Sequence, residues 1–294
     1  MTTQTTTTKG IRGVFGAGAS YMVGDGFPVR NFFPTNELDA EVTPFLMFDY
    51  AGPQYFPPTD QPRGVGEHPH RGFETVTIVY DGKVAHRDSA GNGGVIGPGD
   101  VQWMTAASGL VHEEFHEADW AKAGGTLHAV QLWVNLPAVH KMAPPAYQTI
   151  LNSDIPAVPV AGGAGTVRVI AGSFAGRRGP ARTFTPIDLY DVTLQAGAEV
   201  SFEFPYGYNV PLFVLQGAVT VNDGASAGPA ELVVCEREGT QVTVRAQGDS
   251  RLLVMAGQPI DEPIARYGPF VMNSKAELVQ AVQDYQAGKM GHLS

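Results

Sequence analysis

The sequence has 294 residues, 43% of them hydrophobic, which is enough to build about two domains. Its 19 basic and 29 acidic residues give a formal net charge of −10, which disfavours direct nucleic-acid binding through a basic surface. A single cysteine excludes an internal disulfide and fits a reducing compartment. No signal-peptide core or bilayer-length apolar run is visible, so we expect a cytoplasmic protein with no membrane partner.

The chain begins with a threonine-rich stretch, residues 1–10, that has little to pack, and we expect a flexible tail there. The body that follows consists of short β-branched and aromatic runs separated by glycine- and aspartate-containing turns. The predicted strands are 76–80, 84–88, 127–134, 167–172, 189–194, 210–215, 218–222, 241–246 and 250–257. Closely spaced strands with almost no helix between them favour an all-β fold of barrels or sandwiches.

One helix is predicted near the end of the sequence. Ser274 and Glu277 form a capping-box pattern at its start, and Gly288 is placed to end it. Four apolar residues are expected to line its buried face: Leu278, Val279, Val282 and Tyr285.

An internal similarity indicates tandem duplication. Segment 77–88 (TIVYDGKVAHRD) is similar to segment 212–223 (LFVLQGAVTVND) at a shift of 135 residues. That shift is about one domain long and favours two copies of one β fold, although a twelve-residue match also arises by chance. The Pro-, Ala- and Gly-rich segment 137–165 is the natural connector. We therefore predict domains at 11–145 and 146–294.

Histidines that can act together lie in the first predicted domain. His68 and His70 occur in GEHPHRGFE, and His112 and Glu114 occur in SGLVHEEFHE. Side chains two apart on a strand share a face, with Cα atoms about 6.6 Å apart, so each pair can converge on one ion. His116 is four residues from His112, about 13 Å along a strand, which is too far to share a metal.

The predicted metal ligands are therefore His68, His70, His112 and Glu114. An isolated HxH is more often a surface or hydrogen-bonded pair, but a second strand carrying HxE favours a metal. Mixed nitrogen and oxygen donors suit a divalent first-row metal. Iron(II) is our first choice, with manganese, nickel, copper and zinc left open.

The other candidate residues have weaker patterns. Glu74 shares a predicted strand face with His70 but lies too far along it, so we expect it to support the ligands rather than bind the metal. Cys235 lies in a charged run and is expected to be inert. The remaining candidates, expected to be structural or exposed, are His86, His116, His128 and His140. Four aromatic residues are expected mainly in the core: Phe45, Phe48, Phe73 and Trp103.

The second predicted copy lacks the histidines. At the 135-residue shift His68 aligns with Glu203 and His70 with Pro205, and no histidine occurs between residues 141 and 291. We therefore expect a metal in the first domain alone.

At these residues the sequence resembles the pirin family of the cupin superfamily. The segments that carry the resemblance are HPHRGFETVTIVYDGKVAHRD (68–88), GPGDVQWMTAASGLVHEE (97–114), HAVQLWVNLP (128–137) and YGPFVMN (267–273). The resemblance implies two tandem cupin barrels with a short C-terminal helix. It also implies one iron in the first barrel, held by three histidines and a glutamate, which correspond to His68, His70, His112 and Glu114.

The resemblance implies two kinds of function. Bacterial members resemble quercetin 2,3-dioxygenases, which would make this chain a quercetinase with Glu114 as general base and with a small planar aromatic substrate and dioxygen as partners. Other members are described as iron-dependent regulators, which would make it a redox sensor acting through a protein partner. Most pirins work as monomers, so we expect a monomer.

Overall fold

The computed structural model describes residues 6–35, 37–222 and 224–293. The chain forms two compact units, which we name the first and second barrels. The first barrel takes its residues from 18–33, 45–152 and the chain from 260 onward. The second barrel takes its residues from the chain up to 17, 34–44 and 153–259.

Short strands dominate the described part of the chain. Strands β1 to β13 are Ile11–Gly16, Ser20–Val23, Phe27–Phe33, Phe45–Phe56, Gly64–His70, Phe73–Asp81, Val84–Asp88, Gly93–Ile96, Val101–Thr105, Leu110–His116, Gly125–Asn135, Ala146–Ile150 and Ala157–Pro159. Strands β14 to β26 are Gly165–Ala171, Ser173–Phe174, Arg177–Arg178, Ile187–Leu194, Glu199–Glu203, Pro211–Gln216, Val219–Val221, Ala225–Ala227, Glu231–Cys235, Gln241–Ala246, Ser250–Gly257, Ala265–Tyr267 and Phe270–Met272.

Helices are few and short. The α-helices are α1, Asp39–Val42; α2, Ala118–Ala123; and α3, Lys275–Gln286. None of the helices in the described segments has the length and apolarity needed to cross a bilayer.

Each barrel is built from a seven-stranded and a four-stranded antiparallel sheet. The sheets of the first barrel have the orders β12-β9-β6-β11-β4-β3-β2 and β5-β10-β7-β8. Those of the second have the orders β1-β22-β19-β24-β17-β14-β13 and β18-β23-β20-β21. The two orders correspond strand for strand, which confirms the predicted all-β fold of two tandem barrels with a short C-terminal helix.

The division of the chain differs from the continuous domains predicted at 11–145 and 146–294. Segment 34–44 belongs to the second barrel, where the Asn209 amide donates to the carbonyl oxygens of Ala40 and Thr43. Segment 260–293 belongs to the first barrel and forms a buried ion pair within it. Both assignments depend on contacts between residues far apart in the sequence, which local sequence patterns do not reveal.

The expected tail at 1–10 is only partly within the described residues, since 1–5 lie outside them. Thr8 pairs with Gln241, and the buried Lys9 ammonium donates to the carbonyl oxygens of Tyr208, Glu236 and Arg237 at 2.8–3.2 Å. These bonds hold residues 7–10 against the second barrel, so the prediction of a tail is wrong there. Asp223, the last residue of the repeated segment, also lies outside the described residues.

Helix α3 begins as its sequence predicts, with the Ser274 hydroxyl accepting from the Glu277 amide N–H. Its buried face differs from the prediction. Leu278 is buried as expected, but Val279 and Tyr285 are exposed. The buried positions include Asp284, because its carboxylate forms an ion pair with Arg71 of the first barrel at 2.9 Å.

Candidate metal centre

Two neighbouring strands of the first barrel carry the predicted ligands. In the β5–β10 pairing His112 lies opposite His68, whereas Glu114 lies opposite Val65. Strand β5 therefore has one extra residue between these pairs, a β-bulge at Gly66 and Glu67. Bulges of this kind redirect side chains next to functional sites.

Three imidazoles meet at this bulge. The ring centroids lie 4.2 Å apart for His68–His112 and 4.8 Å apart for both His68–His70 and His70–His112. Their potential ligand atoms all lie within 4.8 Å of one another, close to twice the metal–nitrogen distance of about 2.1 Å. The structure thus brings together the three histidines that strand alternation grouped.

The hydrogen bonds of these rings leave nitrogens available inside the cluster. His68 Nδ1 lies 2.8 Å from the Gly66 carbonyl oxygen, and His70 Nδ1 lies 3.4 Å from that of Pro269. Each contact favours a proton on Nδ1 and a lone pair on Nε2. His112 Nε2 is buried and has no hydrogen-bond partner among the described residues.

Burial also keeps the His70 and His112 rings uncharged. Desolvation first, and then the neighbouring imidazoles, hold the pKa values of His70 and His112 well below their usual range. A neutral imidazole with an unused lone pair is the form that binds a metal. The buried, partnerless nitrogen of His112 and the nitrogen-rich donor set fit a divalent first-row metal.

Glu114 lies in a second group, with ligand atoms within 4.8 Å of those of His86 and His112. Its Oε1 accepts from Gln102 Nε2 at 2.9 Å and from Thr77 Oγ1 at 3.4 Å, and its Oε2 accepts from Gln131 Nε2 at 2.9 Å. A carboxylate offers about four acceptor positions. Three are in use, so one position, on Oε2, is open to a metal or a proton.

The donors to Glu114 belong to a polar row that crosses the seven-stranded sheet. Consecutive members are direct cross-strand partners and therefore share one face of that sheet. The row runs Asn31, Asp49, Gln131, Thr77 and Gln102. The row is not apparent from the sequence, because isolated polar residues in apolar strands can be aligned only when the strand register is known.

A cavity of about 400 Å³ opens beside the histidines, within the range of about 300–1,000 Å³ that small-molecule sites occupy. His68, His70 and Glu114 line one part of it. Apolar and aromatic residues line much of the rest: Val23, Phe27, Val29, Met47, Ala51 and Trp133. The Tyr21 hydroxyl, which also lines the cavity, donates to Asp49 at 2.7 Å.

Glu74 does not face the histidine cluster, although its sequence position predicted that it would support the metal ligands. It lies three residues before Thr77 on β6, hence on the opposite face of that strand, where it accepts from the Thr105 hydroxyl at 2.7 Å. Burial raises the pKa of Glu74 to about 7. The turn at Arg71 and Gly72 interrupts the strand after His70, so alternation cannot be carried across it.

His86 is the main residue whose surroundings the sequence did not reveal. It is buried, its Nδ1 lies 3.3 Å from His112 Nδ1, and its ring stacks on Tyr147 at 4.9 Å. The sequence placed it only among the residues expected to be structural or exposed, because the pairing of β7 with β10, which sets His86 opposite Glu114, is not visible in the sequence.

Several other residues expected to be structural have surroundings that suit that role. His116 is buried with Nε2 at 2.9 Å from the Gly26 carbonyl oxygen, and His128 lies beside Asp81. Cys235 is buried, and burial raises the pKa of its thiol to about 12, which suits an inert residue. The four aromatic residues expected in the core are buried: Phe45, Phe48, Phe73 and Trp103.

Residues after 260 support the cluster from one side. Pro269 provides the carbonyl oxygen beside His70, and Lys141 Nζ donates to the carbonyl oxygens of Gly72 and Val271 at 2.8 and 3.0 Å. Gly72 has φ of +91°, and a Cβ there would lie 1.9 Å from the Val271 carbonyl oxygen. Only glycine fits this turn between β5 and β6.

Two barrels of matching strand order, the first containing a histidine cluster beside a cavity, define a two-domain cupin protein with a candidate metal centre. The chain belongs to the pirin family. Residues 26–134 match the family model described as Pirin, and residues 189–291 match that of the Pirin C-terminal cupin domain.

Relatives with known names are similar along nearly the whole chain. The Pseudomonas aeruginosa protein named "Putative quercetin 2,3-dioxygenase PA2418" is 50% identical over 96% of this chain and 98% of its own. A pirin-like protein of Solanum lycopersicum is 41% identical over 91% of this chain and 88% of its own. A crystal structure described as quercetin 2,3-dioxygenase from Acinetobacter baumannii is 46% identical, with a TM-score of 0.94, covering 98% of this chain and 100% of that one.

Proposed function

We propose that this chain is a metal-dependent dioxygenase that opens flavonols such as quercetin. The observation that carries the proposal is the apolar cavity with His68, His70 and Glu114 on its wall. The two similar proteins named as quercetin 2,3-dioxygenases support this substrate class.

The donor set we propose is His68, His70, His112 and Glu114, and the metal we propose is iron(II). When bound, such a metal supplies Lewis acidity toward a substrate oxygen and access to one-electron chemistry with dioxygen. A cytoplasmic location and a monomeric state remain predictions from the sequence.

The remaining work falls to the protein's own side chains. Glu114 accepts the proton of the flavonol 3-hydroxyl at Oε1, in place of the long 3.4 Å contact from Thr77 Oγ1, which leaves the open Oε2 position for the metal, while Gln102 and Gln131 keep the carboxylate in place. The apolar wall, which includes Phe27 and Trp133, packs against the planar rings and excludes water.

The reaction balances without a further reductant. One dioxygen adds to one flavonol, the C2–C3 and C3–C4 bonds break, both oxygen atoms enter the ester product, and C3 leaves as carbon monoxide. Glu114 returns its proton to the product, so the carboxylate is ready for another cycle.

Turnover of quercetin by the iron-loaded chain tests the proposal, followed by loss of its visible absorbance and by carbon monoxide release. We expect one carbon monoxide per quercetin. Glu114→Ala is expected to lose turnover while the three histidines retain metal. Glu113→Ala is the matched control, because Glu113 lies outside the cavity lining and pairs with Arg87. Iron-loaded protein that leaves quercetin and other flavonols unchanged would contradict the proposal.

A further inference from the structure

We propose that His86 and Asp88 form a hydrogen-bond relay that fixes the tautomer of His112 and thereby directs its Nε2 lone pair into the three-histidine cluster. His86 is a positioning residue in this scheme, since it acts through His112. The inference rests on the proposed function only in treating the cluster as a metal site.

The relay is built into the pairing of β7 with β10. His86 lies opposite Glu114, and Asp88 lies opposite His112. His86 Nδ1 is 3.3 Å from His112 Nδ1, and His86 Nε2 is 3.5 Å from Asp88 Oδ2. All three interacting side chains are buried, so bulk water does not compete for these contacts.

The proton positions follow from the chemistry of the groups. A carboxylate only accepts hydrogen bonds, so His86 Nε2 must carry the proton that faces Asp88. A second proton, on His86 Nδ1, would force the His112 proton onto Nε2, which has no acceptor among the described residues, so His86 Nδ1 is the acceptor of this pair. His112 Nδ1 must then donate to it, which leaves His112 Nε2 without a proton.

The surroundings of His112 agree with this assignment. Its Nε2 is buried and has no hydrogen-bond partner among the described residues. The opposite tautomer would place an N–H donor there with no acceptor, which is unfavourable in a buried site. With the proton on Nδ1, the partnerless atom is a lone pair beside His68 and His70, where a metal would use it.

Both ends of the relay are anchored. Asp88 Oδ1 accepts from the backbone N–H groups of Ala90 and Asn92 at 2.9 and 3.0 Å, which fixes the carboxylate. The His86 ring stacks on Tyr147 with an interplanar angle of 10°. The Tyr147 hydroxyl donates to Gln102 at 3.2 Å, so one side chain supports both His86 and a donor to Glu114.

Metal affinity tests the relay, with Zn²⁺ as the probe and a chromophoric chelator as competitor. We expect His86→Leu, which removes the acceptor for His112 Nδ1–H, to weaken Zn²⁺ binding roughly 10–100-fold. His86→Gln is expected to recover most of the affinity, because its amide oxygen can accept the same hydrogen bond. His116→Gln changes another buried histidine of the first barrel, outside the relay, and is expected to bind Zn²⁺ like the wild type.

Nitrogen NMR of the wild-type chain gives a second readout that does not depend on how a variant folds. With ¹⁵N-labelled histidine and bound Zn²⁺, we expect a protonated Nδ1 on His112, an unprotonated Nδ1 on His86 and a protonated Nε2 on His86. The reverse pattern overturns the inference. So does a folded His86→Leu variant that binds Zn²⁺ as tightly as the wild type.

These results separate the inference from the proposed function. Zn²⁺ binding with the expected tautomers but no flavonol turnover would contradict the proposed dioxygenase function and support the relay. Flavonol turnover, together with Zn²⁺ binding that His86→Leu does not affect, would contradict the relay and support the dioxygenase function.

Discussion

The two barrels share one strand order but fill their interiors differently. A row across the large sheet of the first barrel is polar: Asn31, Asp49, Gln131, Thr77 and Gln102. The corresponding cross-strand row of the second barrel is almost wholly apolar: Val169, Tyr190, Val254, Leu212 and Val233. The members of that second row belong to one buried hydrophobic cluster.

The ligand positions differ in the same way. Val242 lies opposite Phe202, as His112 lies opposite His68 in the first barrel. Phe202 and Phe204 therefore occupy the places of His68 and His70, and Phe202 packs against the Tyr190 ring at 5.7 Å. One architecture thus holds either a polar site beside a cavity or a closed apolar core, depending on the side chains of a few strands.

This register also corrects the alignment predicted from the sequence. The constant 135-residue shift placed His68 on Glu203 and His70 on Pro205, one residue beyond their structural counterparts. A β-bulge in β5 adds a residue to the first barrel, so the shift is not constant along the chain.

His112→Val, which gives the first barrel the residue of the second, has the largest expected effect. We expect Zn²⁺ affinity to fall by more than about 100-fold, since loss of a ligand exceeds the effect of losing its supporting group. The folded chain should persist, because valine at the corresponding position packs in the second barrel. Chelator competition and circular dichroism measure the two effects. Unchanged metal binding would show that His112 is not a ligand.

Glu74→Gln makes the first barrel resemble the second on the outer face of β6, where Asn209 is the counterpart. Burial raises the pKa of Glu74 from its ordinary value of 4.5 to about 7 in the folded state. The folded state therefore binds more protons between these values, and its stability falls as the pH rises through that window. We expect the free energy of unfolding of the variant to rise relative to that of the wild type by about 1.4 kcal/mol per pH unit across this window, to a total of about 3 kcal/mol.

Urea unfolding of both proteins at pH 5, 6, 7 and 8 measures this difference. The Thr105 hydroxyl can still donate to the amide oxygen of glutamine, so the hydrogen bond seen at Glu74 Oε1 is retained. A difference that does not change with pH would contradict the raised pKa.

Gln131→Val copies Val254 of the second barrel into the polar row. It removes the donor to Glu114 Oε2, and we expect a loss of about 1.5–3 kcal/mol in the free energy of unfolding, as for hydrogen bonds to charged groups. Gln216→Val, at an exposed position, should stay within about 0.5 kcal/mol of the wild type. Equal effects for the two variants would show that the row does not hold Glu114.

Tyr190→Phe removes the polar group from the apolar row. The Tyr190 hydroxyl donates to Asp188 Oδ1 at 2.8 Å and contacts the Ser173 carbonyl oxygen at 2.6 Å. We expect a loss of about 1 kcal/mol in the free energy of unfolding and no change in Zn²⁺ affinity. Weakened Zn²⁺ binding would show that the apolar row of the second barrel affects the histidine cluster of the first.

The fold could be predicted from local patterns, because strand periodicity and turn residues are short-range signals. Strands β7, β23 and β24 begin and end where the sequence placed them. The grouping of His68, His70 and His112 followed from alternation within two strands, with the pirin resemblance pointing to the same residues.

The rest of the site depends on which strands are neighbours, which alternation within one strand cannot give. His86 contacts His112 only because β7 pairs with β10. Glu74 was misjudged because alternation was carried across the turn at Gly72. Asp284 was missed because its burial depends on Arg71, 213 residues away in the sequence.

The way the chain passes between the barrels bears on its synthesis. Pro269, which contacts His70, and Asp284, which holds Arg71, leave the ribosome only after all of the second barrel has been made. A nascent chain that ends before residue 260 thus lacks one side of the histidine cluster. We therefore expect the chain to bind metal only after translation is complete. A chain cut between the barrels would give two fragments, each lacking residues that its barrel needs.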